Sequence, residues 1–124
     1  MGTTGRQHPA QGKHMGSGHP RPPPGERYRS FDEFYRFYLQ EHAHPVSRRL
    51  HVTGTCVAVL LMALAAALRA PWLFVAAVIC GYGLAWAGHF FFEKNRPATF
   101  IHPWWSLRGD LRLLAETLAG RRKW

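Results

Sequence analysis

A chain of 124 residues has room for one domain and not comfortably for two. Its slightly negative mean hydropathy would suit a soluble protein, but that average hides a polar start and an almost wholly apolar middle. The net charge of +9 flanks this middle instead of forming a stripe on a soluble fold, which speaks against a nucleic-acid partner and for anionic lipid headgroups.

Residues 1–27 are rich in Gly, Pro, His and Arg and contain a Pro22-Pro23-Pro24 run. Nothing there can bury a core, so a disordered tail is expected, and its histidines (His8, His14, His19) are at most weak metal binders. No apolar stretch followed by a cleavage site stands in the first thirty residues, so no secretory signal is expected. The domain proper is placed at 28–124.

Order starts at Ser30-Phe31-Asp32-Glu33, a capping box in which the serine hydroxyl accepts from a helix N–H and Glu33 reaches back. Phe31, Phe34, Tyr35 and Tyr38 follow at the spacing of one helical face. This aromatic amphipathic helix is expected at the membrane surface, with its rings at headgroup depth or packed on the helices behind it. Pro45 ends it after His44.

A second helix is expected from Pro45 through Arg48, Arg49 and His51 into a first apolar span. Residues 52–68 carry no charge, nor do residues 71–92; the runs are 17 and 22 residues long. About 20 residues cross the hydrocarbon core, so the two read as a transmembrane hairpin turning at Leu68–Pro71. Gly54 and Ala58 in the first span, and Gly81, Ala85 and Gly88 in the second, let the helices approach closely. Cys56 and Cys80 fall at different depths and are expected to be packing residues without a bridge. After Pro97 and Pro103, Trp104, Leu107, Leu111, Leu114 and Leu118 line one face of a last amphipathic helix.

Residues 1–51 carry eight Lys/Arg against four Asp/Glu, and residues 93–124 carry seven against three. The positive-inside rule then puts both termini in the cytoplasm, with Arg69 alone in the outer turn. The expected fold class is an all-α membrane protein, a two-helix transmembrane hairpin flanked by amphipathic interfacial helices. Two spans enclose little, which points to a homo-oligomer.

His51 and His89 each lie 19 residues from Ala70, so a hairpin brings both to one depth, roughly 28 Å from the turn. His42 precedes the first span, and Glu93 shares a helical face with His89. A single histidine at a membrane edge is ordinarily a hydrogen-bonded polar group. Three at one depth with a carboxylate suit non-haem Fe(II) that must bind O2 and substrate together; zinc would accept the same ligands. Glu93 could also pair with Lys94 or Arg96, or orient a histidine. His44 and His102 are weaker candidates. Arg48, Arg49 and Arg96 offer planar forks for a substrate carboxylate or a lipid phosphate.

The runs Phe37-Tyr38-Leu39-Gln40-Glu41-His42 and Arg48-Arg49-Leu50-His51-Val52-Thr53-Gly54-Thr55 carry a resemblance, as does Gly88-His89 through Glu93-Lys94-Asn95-Arg96-Pro97-Ala98. Together they closely resemble the 2-hydroxy fatty acid dioxygenase-like membrane proteins, over nearly everything after residue 28. The resemblance implies an Fe(II)-dependent dioxygenase that takes a 2-hydroxy fatty acid and O2 to a fatty acid one carbon shorter. By motif match, His42, His51 and His89 would hold the iron, and Glu93 would be a further catalytic residue. Arg49 and Arg96 would bind the substrate. This chain is shorter than the fungal enzymes of the family and looks like a small bacterial branch, which implies an inner-membrane location. The alternatives are a non-enzymatic membrane protein that binds lipid or assembles a complex, and a haem held axially by His51 and His89.

Overall fold

The computed structural model describes residues 27–124; the tail expected over 1–27 lies outside them except for Arg27. The described residues form helices and no strands. Helix α1 (Phe31–Gln40) starts at Ser30, whose hydroxyl accepts from the Glu33 N–H, while the Glu33 carboxylate accepts from the Arg29 N–H. A cap of this kind stabilises a helix by about 1 kcal/mol.

Helix α2 (Pro45–Leu68) has proline in its first turn, where a missing N–H is harmless, and the His44 ring accepts from the Val46 N–H. It ends at Arg69, which adopts the left-handed conformation at φ 52°. Helix α3 (Pro71–Ala87) returns alongside and widens into a π turn at Gly88–Glu93. A short 3-10 turn (Ala98–Phe100) leads to α4 (Pro103–Leu118).

The helices α2 and α3 with its π turn are long and apolar enough to cross a membrane, at 24 and 23 residues. They meet along the small residues expected from the sequence. A Cβ on Gly54 would lie 3.1 Å from Leu84 Cβ, and one on Gly81 would lie 3.2 Å from Ala58 Cβ. Away from that seam the apolar side chains face outward: Leu60 and Ile79 are each 65% exposed and Trp72 is 69% exposed.

The aromatic face of α1 is turned to protein. Phe34, Tyr35 and Tyr38 are buried with Val52 of α2 and Leu113 and Leu114 of α4. The periodicity located this face correctly, but its partner is α4 and the base of the hairpin, not lipid. The approach is close because Gly109 has no side chain: a Cβ there would stand 3.0 Å from the Tyr38 ring. Arg108 lies 4.1 Å above the Phe31 ring and Arg112 4.3 Å above Tyr35. The apolar line of α4 is turned the other way. Trp104, Leu107, Leu111 and Leu118 are exposed, whereas Ser106, Gly109 and Leu113 are buried.

Candidate metal centre

Helix α1 stops because its own chain folds back on it. The His42 Nδ1–H donates to the carbonyl oxygen of Tyr38 at 2.5 Å, one of the last-turn carbonyls that a helix leaves without a partner. This places the His42 ring under the hairpin, 4.1 Å from the His51 ring centre and 4.6 Å from that of His89. His51 and His89 themselves are 4.8 Å apart, centre to centre. All three side chains are buried. One ring nitrogen from each lies within 4.8 Å of the other two, the single such group of potential metal donors among the described residues.

The outer contacts of the rings decide which nitrogens face each other. The His51 Nδ1–H donates to Asp110 Oδ1 at 2.9 Å, and the His89 Nδ1–H to Asn95 Oδ1 at 2.7 Å. Asn95 cannot be turned around, because its amide nitrogen donates to two oxygens of Glu41, the backbone carbonyl at 3.1 Å and Oε2 at 2.7 Å. A carbonyl, a carboxylate and an amide oxygen can only accept. Each ring therefore carries a proton on Nδ1 and turns its Nε2 away from these outer contacts.

That makes the 3.0 Å separation of His42 Nε2 and His51 Nε2 informative. Two bare lone pairs at this distance would repel, so the nitrogens either share a proton, with His51 charged against Asp110, or are drawn together by a cation. Two nitrogens bound side by side at right angles, each about 2.1 Å from an ion, would be about 3.0 Å apart. Burial, then the neighbouring His51, holds the His42 ring well below the ordinary histidine range, so it stays neutral and able to ligate. The donor set fits a first-row transition metal. It does not fit haem. Two nitrogens on opposite sides of an iron, each about 2 Å from it, would put their ring centres roughly 6 Å apart, whereas those of His51 and His89 are 4.8 Å apart.

The other residues singled out from the sequence are placed differently. The Glu93 carboxylate accepts from the His44 N–H at 2.7 Å, fastening the end of the π turn to the start of α2, outside the group of three rings. His102 stacks on Trp105 beside Tyr28 and Phe34 and has no place at the centre. Arg49 and Arg96 are exposed, whereas Arg48 is half-buried and its Nε has no hydrogen-bond partner among the described residues.

Residues 28–122 match the family described as 2-hydroxy-palmitic acid dioxygenase Mpo1-like. The chain belongs to that family. No curated protein and no solved structure matches it. All three histidines lie inside the matched residues, and a metal-binding group is compatible with a dioxygenase.

Asp110, Asn95, Glu41 and Tyr38 surround the rings without having been singled out for that place by sequence reasoning. A signal for Asp110 existed: with Ser106, Gly109 and Leu113 it lies on the stripe of α4 opposite the exposed leucines. Asn95 lay inside the family motif, but its contact with His89 depends on a π turn that periodicity does not reveal.

Proposed function

We propose that this protein is an Fe(II)-dependent membrane dioxygenase that converts 2-hydroxy fatty acids to fatty acids one carbon shorter. The single observation that carries the reading is the convergence of one ring nitrogen each from His42, His51 and His89, all buried. The family description supports the substrate class. The outward apolar faces of α2 and α3 support a bilayer setting, with the rings at the inner leaflet and both termini cytoplasmic.

The stoichiometry closes without a reductant. R–CHOH–COOH and O2 give R–COOH, CO2 and H2O; the two substrate carbons lose four electrons and O2 accepts all four. When bound, Fe(II) would supply the redox chemistry that lets O2 react beside a 2-hydroxy acid. The protein's part is positional. His42, His51 and His89 would hold the ion. The apolar helices would take the acyl chain, and the buried setting would exclude bulk water. Arg49 and Arg96 sit on the surface, so an arginine clamp on the carboxylate falls more naturally to the half-buried Arg48. Glu93 would act on the site indirectly, by holding the π turn that carries His89.

The test is anaerobic purification in detergent, iron analysis, and conversion of 2-hydroxypalmitate under O2. Wild type is expected to hold iron and form the C15 acid. His51→Ala and His89→Ala should lose both, with product falling at least about 100-fold, since ligand removal exceeds the 10–100-fold cost of losing an outer contact. Full activity in either variant would sink the assignment.

A further inference from the structure

We propose that Asp110, carried by α4, is a positioning residue for His51 and makes the docking of α4 part of metal binding. The proposal rests on the reading of the three histidines as metal ligands. The rings are not held alike. His42 donates to a backbone carbonyl and His89 to an amide oxygen, both neutral, whereas His51 donates to a carboxylate.

The carboxylate is itself held in place. The Tyr38 hydroxyl donates to the same Oδ1 at 2.5 Å, and Asp110 is only 18% exposed. The adjoining Gly109 lets α4 lie flush on the Tyr38 ring. One oxygen thus joins α1, α2 and α4 at the edge of the centre.

The consequences for His51 are specific. The carboxylate keeps the ring proton on Nδ1, orients the ring, and raises the electron density at Nε2. His51 should be the strongest donor of the three. Helix α4, an interfacial helix by its sequence, then becomes a component of the metal site.

The experiment uses the full chain in detergent, with Co(II) as the probe, read by its ligand-field absorption against a competing chelator. Asp110→Ala should bind Co(II) about 10–100-fold more weakly. Asp110→Asn, which keeps an oxygen acceptor and loses the charge, should fall between it and wild type. In metal-free protein, imidazole 15N shifts should report the Nδ1–H form for all three rings, and Asp110→Ala should change His51 alone. Wild-type affinity in Asp110→Ala, or an unaltered His51 tautomer, would overturn the proposal. If that variant does not fold, Asp110→Asn decides: unchanged affinity overturns it and a several-fold loss supports it. Failure of the wild type to bind Co(II) would overturn this inference and the proposed reaction together. Binding without any shortening of 2-hydroxypalmitate would count against the reaction alone.

Discussion

At the turn, the hairpin is two helices and little else: Leu68 and Trp72 stand exposed, and the connection bends through a left-handed Arg69. At the other end the same two helices are enclosed by α1 and α4, and a hydrogen-bonded set of polar groups surrounds three buried imidazoles. The apolar end needs only small residues along one seam, because the side chains that meet there carry no hydrogen-bonding groups that ask for a partner. The polar end needs a defined partner for each ring nitrogen. The order of the molecule is therefore concentrated where the chemistry is proposed.

The largest expected effect separates the two ends by ligation. A metal at a hundredfold above its Kd should stabilise the folded protein by about 2.7 kcal/mol. Hydrogen exchange should slow in α1, the start of α2 and α4, and stay unchanged near Arg69. Equal protection at both ends would mean that the ion is not held by the three rings.

Next comes a pair of glycines. A Cβ on Gly88 would lie 2.9 Å from Ser47 Oγ and 3.3 Å from Ser47 Cα, directly before His89. Gly88→Ala should destabilise by about 1–3 kcal/mol and weaken metal binding with it. Gly83 meets nothing within 4 Å, so Gly83→Ala should be neutral or stabilise by up to about 1 kcal/mol. Denaturation in one detergent measures both, and the same sign for the two would contradict the described seam.

The hairpin was legible in the sequence because two uncharged runs of membrane length, joined by a short polar break, match the thickness of a bilayer crossed twice. The equal distances of His51 and His89 from Ala70 already matched their depths. His42 was legible from its place just before the first span and from its family motif, but nothing in its spacing shows that its ring caps α1. The partner of the α1 aromatic face was not legible: periodicity says that Phe34, Tyr35 and Tyr38 share a side, not what covers it. Asp110 meets His51 across 59 residues, a contact that depends on how α4 packs. The exposure of Arg49 and Arg96 likewise depends on the rotation of their helix and loop, which composition does not record.

Smaller effects lie farther from the rings. Glu116 accepts from Tyr35 and pairs with Arg112 and Arg122, joining α1 to the end of the chain. Burial pushes its carboxyl upward, but hydrogen bonds from Arg122, Arg112 and Tyr35 outweigh that and hold it below its ordinary value. Its contribution is thus present above the ordinary carboxyl range, near pH 4.3, and lost as the pH falls through that range and below. Glu116→Gln should cost about 1 kcal/mol at pH 7 and flatten the acid side of the stability curve. An unchanged acid limb would show that Glu116 does not set the acid stability. Smallest of all, Arg69→Gly should relieve the left-handed strain at the turn by about 1 kcal/mol or less, with metal affinity untouched.

The widened turn at Gly88–Glu93 has an evolutionary implication. A π turn is what an α-helix becomes when one residue is inserted without disturbing either flank. Removing a single phenylalanine from Phe90-Phe91-Phe92 would let the helix close to its regular pitch, with both flanks kept in register. A chain one residue shorter at this turn would then keep both long helices and the Asn95 contact to His89, so this is where the length of the hairpin can change by a single codon.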